Sequence, residues 1–226
     1  MNTLLETDFT LTAAGTAPVS AALIGELNAV CDRVEDAADG DLLVLHLTAG
    51  AAGAADGEAE THAEGVHLIN KWERALRRVE RLPVATVVLA DGVCTGAAAE
   101  LLLATDYRIA GEGLRLRLPS AGGATWPGMA LYRLATQLGV AGARRLALFG
   151  AEVDAPTALR AGLVDEVAAD PAEALAARRT LFAGARHGDL AVRRRLLMDA
   201  AATGFDDALG SHLAAADRAQ RRALHA

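Results

Sequence analysis

The chain has 226 residues, 52% of them hydrophobic, and a formal net charge of −7. That length suits one domain, or one large domain with a small appendage, and the apolar fraction is ample for a core. The acidic balance argues against a general nucleic-acid binder, which needs a basic face, and no apolar run reaches the length of a membrane span.

The opening stretch "MNTLLETDFTLTAAGTAPVS" carries acids and no basic leader, so no signal peptide is read there. Residues 7–12 read as a short strand. Ser20 is placed to cap a helix whose apolar residues Leu23, Ile24, Leu27, Val30, Cys31 and Val34 follow at helical spacing. Asp39–Gly40 breaks it, and "LLVLHLT", residues 42–48, is a buried strand. Strand, helix, strand is the start of a parallel sheet with crossover helices. The next segment, 49–65, holds only small or charged residues and reads as a loop. Loops directly after buried strands are where α/β proteins commonly place their sites.

Ile69, Trp72, Leu76 and Val79 then mark a helix whose other face carries Lys71, Arg74, Arg77, Arg78 and Arg81. Pro83 separates it from a strand over 84–90. A second strand–loop–helix junction follows, "ADGVCTGAAAELLLATDYRIA", in which Glu100 interrupts an apolar run. "YRIA" and "LRLRL" read as short strands. From Pro127 the chain is mostly helical, with Gly139 and Gly150 as helix stops and Asp154 and Asp170 as caps. "LVDEV", residues 163–167, reads as a final strand. The helical tail 171–226 clusters arginines at 178–179, 186 and 193–195; those of 71–81 and 193–195 read as solvated faces, or as a patch for phosphate groups. Cys31 and Cys94 lie far apart and lack metal-ligand spacing, which points to a reducing cytoplasm.

The two junctions, 49–56 and 91–97, are built from small residues that let a ligand approach the main chain. Side by side, their backbone N–H groups would converge on one oxygen, and the helix from Ala97 would add its positive end. Such donors stabilise an oxyanion by roughly 2.7–4 kcal/mol each. Glu100 sits about one turn into that helix. Buried there, its carboxyl should have a raised pKa suited to general acid–base work. The blander reading is an acid that only complements the helix dipole.

"RLPVATVVLADGVCTGAAAELLLATDYRIA" and "PSAGGATWPGMALYRLATQLGVAGARRLALFGAEVDAPTALRAGLVDEV" resemble the motifs of the enoyl-CoA hydratase/isomerase (crotonase) family, in order, from about residue 70 to 168. The resemblance implies an α/β crotonase fold. A spiral of ββα turns would occupy residues 1–168, and a C-terminal helical oligomerisation region 169–226. It implies acyl-CoA thioester substrates, coenzyme A being part of the substrate, with no separate cofactor and no metal. By position, Glu100 matches the first catalytic glutamate. Ala97 matches the residue that donates one oxyanion-hole N–H. Ala52 matches the other donor, with Gly53 and Ala51 as alternatives. Gly96, Ser120 and Trp126 fall at substrate-lining positions, although Trp126 and Tyr132 are by type more often packing residues. A homotrimer or hexamer is implied.

Two departures stand out. Pro119 is followed by Ser120 where hydratases carry a second glutamate, and the glycine turn has become Gly96-Ala97-Ala98. One-acid chemistry remains: dehydration, isomerisation or enolate protonation. "TWPGMALYRLA" and "KWERALRRVERLP" resemble, more narrowly, the small accessory crotonases of the dihydroxyphenylglycine pathway. That implies a lyase acting on a polyketide-derived thioester beside a polyketide synthase or a second crotonase, or else a largely non-catalytic partner of such an enzyme. Of the remaining residues, His46 reads as a core or interface histidine and His62 and His67 as solvated loop residues. Arg133 and Asp106 read as framework.

Overall fold

The structure is a computed structural model that describes residues 8–37, 42–49, 65–121, 124–183 and 189–225. Strand β1 (Phe9–Ala14) alternates buried Leu11 and Ala13 with exposed threonines, as suits an edge strand with one wet face. Ser20 caps α1 (Ala21–Asp36), its Oγ accepting the Leu23 N–H at 3.1 Å. The buried stripe of α1 is Leu23, Ile24, Leu27, Val30, Cys31 and Val34, the residues that the spacing picked out. Strand β2 (Leu42–Thr48) follows.

Helix α2 (Gly65–Val79) buries Leu68, Trp72, Ala75, Leu76 and Val79. Ile69 is only half-buried, because Leu68 takes the inward position one residue earlier. Strand β3 (Ala85–Ala90) is buried at every residue, as a central parallel strand covered on both faces must be. Then come β4 (Val93–Cys94), α3 (Gly96–Leu103), β5 (Tyr107–Gly111), β6 (Arg115–Leu116), β7 (Ser120–Ala121) and β8 (Ala124–Thr125). The alternation in "LRLRL" yields only two ladder residues, β6. Helix α4 (Met129–Phe149) breaks direction at Gly139, whose φ of 70° and ψ of 161° are not helical, and ends on Gly150 in the left-handed region. The remainder is β9 (Val153–Asp154), α5 (Ala155–Ala161), β10 (Glu166–Ala168), α6 (Pro171–Ala183), α7 (Asp189–Ala200) and α8 (Phe205–His225). Asp154 and Asp170 both cap as expected, on Thr157 and on Ala172 and Glu173.

Five parallel strands form the main sheet in the order β1-β2-β3-β5-β10. A second sheet, β4-β6-β9, and the β7–β8 hairpin stand beside it. The larger core fills one face of the main sheet, under α1, α2 and α3; a smaller one on the other face packs Leu42, Val44, Val87 and Ile109 against Leu175 and Phe182 of α6.

Arginine forks tie the layers together. Arg78 of α2 reaches Asp32 and Glu35 of α1. Arg194 of α7 corrects the reading of the 193–195 cluster as a solvated face: it is 6% exposed. Its guanidinium donates to both oxygens of Asp106, each at 2.6 Å, and to the carbonyls of Leu82 and Val84. Such charge-assisted, two-pronged bonds are the strong ones, and they anchor α7 beside the entry to β3. Asp106 in turn accepts from the backbone and hydroxyl of Thr86. The framework role read for Asp106 therefore holds.

Candidate active site

The site is assembled at the C-terminal end of β3. After Ala90 the chain passes through β4 and enters α3 at Gly96, whose φ of 55° lies where residues with a Cβ are strained. Thr95 stands at the N-cap in extended backbone without a side-chain cap. The amides of Ala98 and Ala99 turn to the Thr95 carbonyl at 3.2 and 3.4 Å. The amides of Gly96 and Ala97, first and second in the helix, have no intrahelical acceptor. Backbone N–H groups of this kind are what an oxyanion hole uses. Ala97 is fully buried, so its methyl fills space that a glycine would leave open.

Glu100 lies one turn further on and is 6% exposed. It is held from two other helices. Trp72 of α2 donates its indole N–H to Oε2 in a buried hydrogen bond. From α4, the backbone N–H of Ala130 donates to the same carboxyl. Gly128, at the N-cap of α4, has no side-chain cap of its own. A Cβ on Gly128 would stand 3.4 Å from Glu100 Oε1 and 3.1 Å from the Trp126 ring. Glycine therefore lets the positive end of α4 close on the carboxyl.

Burial pushes the Glu100 carboxyl up to about 7. The nearby charge of Glu73 adds to the rise, while the Trp72 hydrogen bond, Arg133 and the Ala130 amide hold it back. Desolvation therefore outweighs every favourable contact, which answers why an acid sits inside an apolar run: it is enclosed and poised near neutrality.

Beneath the carboxyl lies an ionic network. Arg133 of α4, itself buried, donates Nε to Glu80 and Nη2 to Glu73, both at 2.8 Å. Arg77 holds the other oxygen of Glu80 at 2.8 Å. Arg133 was read as framework, and it is; it also stands close enough to Glu100 to bias its proton.

The predicted site residues divide as follows. Glu100, Gly96 and Ala97 share α3. Trp126 is half-buried against Gly128, beside Glu100. The backbone of Ser120 pairs with Thr125 in the β7–β8 hairpin, and Trp126 N–H donates to the Pro119 carbonyl at 2.8 Å. Ala52, its alternatives Gly53 and Ala51, and His62 lie outside the described residues. His67 is exposed. His46 shares the sheet face of Leu42 and Val44, opposite α3, half-buried and with its pKa lowered by burial. It is no part of the site. Trp72 and Ala130 were missed. Trp72 read only as a stripe residue, although a buried indole N–H usually has a partner, and that was the available signal.

A buried carboxyl one turn into a helix can move a proton, and the first amides of that helix can hold a substrate oxygen that gains negative charge. The family model described as enoyl-CoA hydratase/isomerase matches residues 19–225. An enoyl-CoA hydratase of Amycolatopsis orientalis is 46% identical over 208 residues, covering 92% of this chain and 94% of that protein. Among solved structures, an enoyl-CoA hydratase/isomerase of Cupriavidus metallidurans superposes with a TM-score of 0.76 at 23% identity, over 96% of this chain and 86% of that one. An enoyl-CoA hydratase/isomerase family protein of Silicibacter pomeroyi superposes with a TM-score of 0.75 at 23% identity, over 96% and 97%. The chain belongs to the enoyl-CoA hydratase/isomerase family and has the crotonase fold. It is an enzyme of the hydratase type, a lyase of acyl-CoA thioesters.

Proposed function

We propose that the protein dehydrates a 3-hydroxyacyl-CoA thioester with Glu100 as its one side-chain acid and base. The observation that carries this is the enclosure of Glu100, with its carboxyl raised to about 7, beside the open amides of α3. Near neutral pH both of its forms are populated, so the same group can take a proton and return it. The Cα–H bond breaks and its proton passes to the Glu100 carboxylate. The electron pair moves into the thioester carbonyl, giving an enolate held by the Ala97 N–H and by a second amide from the loop at Ala52. The enolate then collapses, the C3–O bond breaks, and the hydroxyl leaves with the proton that Glu100 returns. Water, an enoyl thioester and the original carboxylate result.

The reverse reaction passes through the same transition state, so direction is set by the substrate. A polyketide-derived thioester that gains aromaticity on losing water runs only forward. This supports the finer reading drawn from the resemblance of "TWPGMALYRLA" and "KWERALRRVERLP": an accessory lyase in 3,5-dihydroxyphenylacetyl-CoA formation, working with a polyketide synthase or a second crotonase. Ser120, where hydratases carry their second glutamate, favours a second reading, in which the chain mainly assists that partner. The functional unit in either reading is a trimer or hexamer built through residues 169–226, with 1–168 as the catalytic core. Exposed Leu197, Phe205, Leu213 and Leu224 on α7 and α8 support it.

The test is to incubate a polyketide synthase product, as its CoA thioester, with this protein alone, with a sister crotonase alone and with both. Mass spectrometry reads loss of water, 18 Da. Dehydration by this protein alone carries the first reading; acceleration only of the partner carries the second.

A further inference from the structure

We propose that Trp72 is a positioning residue, whose indole N–H pins Oε2 of Glu100 and leaves Oε1 as the oxygen that carries the transferred proton. This rests on the reading of Glu100 as the acid–base group and refines it to a single atom.

The geometry starts from α2. Trp72 is 1% exposed and sits in the buried stripe between Leu68 and Leu76, where packing leaves its ring little freedom. An indole is a donor only, and its one N–H is spent on Oε2. A carboxyl oxygen facing an N–H cannot also hold its proton toward that N–H. The acidic proton of Glu100 is therefore directed to Oε1, on the side of Gly128 and Trp126. Without Trp72 the carboxyl retains the Ala130 N–H but loses the bond that fixes which oxygen faces α2. Among the described residues, the charged groups facing Glu100 are Glu73 on α2 and Arg133 on α4; they act on its charge without hydrogen-bonding it. Trp72 is thus the side chain that sets its direction.

Because the indole N–H stabilises the carboxylate, its loss raises the carboxyl further. Trp72→Phe keeps an aromatic ring and removes the donor. Selective 13C labelling of glutamate carboxyls, with the Glu100 signal assigned by its absence in Glu100→Gln, reads the titration without any need for turnover. The expected result is an upward shift of about one pH unit in Trp72→Phe, on the scale of a hydrogen bond to a charged group. The pH profile of kcat should move by the same amount. Trp72→His, which restores a ring N–H, should recover part of both.

Should Trp72→Phe fail to fold, the native indole reports instead. In Trp126→Phe, the fluorescence of Trp72 should titrate with the Glu100 midpoint and lose that titration when Glu100→Gln is added. An unmoved carboxyl titration in folded Trp72→Phe, or Trp72 emission indifferent to Glu100, overturns the inference. Full turnover in Glu100→Gln would overturn the acid–base reading instead, and the two failures are told apart.

Discussion

Replacing Arg133 by methionine should be among the most damaging single changes outside the reacting groups. The side chain is 7% exposed and makes two ionic hydrogen bonds of 2.8 Å, to Glu80 and Glu73. Methionine fills much of the volume but leaves both carboxylates without this cation. Breaking a buried pair typically costs about 3–5 kcal/mol, because the surviving charge remains buried. Two features pull the figure to the lower end. Arg77 still holds Glu80, and Glu73 is 19% exposed and can hydrate. The expectation is therefore about 3 kcal/mol, or a melting temperature lower by about 6–12 °C for a chain of this size. Adding Glu80→Gln, which removes the most buried of the stranded charges, should recover part of the loss. Calorimetric or circular-dichroism melts of the single and double variants decide it. A loss under about 1 kcal/mol in Arg133→Met would refute the view that the buried carboxylates of Glu80 and Glu73 depend on this cation.

The contribution of Glu100 to stability should fall as pH rises from about 4.5 to about 7. The folded protein keeps the Glu100 proton to about 7 whereas the unfolded chain releases it near the ordinary carboxylate value, so the folded state binds more protons across that window. The drop is about 3 kcal/mol, and denaturation of wild type and Glu100→Gln at pH 5 and pH 8 should show it only in the wild type. Hydration of crotonyl-CoA should run far below about 10 s⁻¹, since Glu100 alone must take the proton of water and deliver one to Cα, work that two carboxylates would share; loss of the enoyl absorbance measures it. Light scattering at micromolar concentration should find a closed oligomer, and a stable monomer would contradict the role given to residues 169–226.

Much of the scaffold was legible because local rules and tertiary packing agree there. The α1 stripe and the Ser20 cap follow from period and capping, and the limits of β2 from the length and Leu/Val content of its run. The residues around Glu100 left two readings open, an acid that only complements the helix dipole and an enclosed one, and its burial decides for the second. What was not legible depends on pairings distant in sequence. Trp72 meets Glu100 across 28 residues. The carboxyl's second support, Ala130, is a backbone group and leaves no trace in residue type. Arg194 looked like its exposed neighbours Arg193 and Arg195, because nothing in a run of arginines tells which one faces the carbonyls of Leu82 and Val84. The Ala52 donor rests on the resemblance alone.

The central claim is that one carboxyl performs the proton transfers. Glu100→Gln preserves shape and the hydrogen bond from Trp72 while removing the titrating group. Single-turnover dehydration of a 3-hydroxyacyl-CoA thioester by this variant, with its fold checked by circular dichroism, is the direct measurement. The account predicts a rate lower by about 10²–10⁴, the usual weight of general acid–base catalysis. A rate equal to that of the wild type would contradict it.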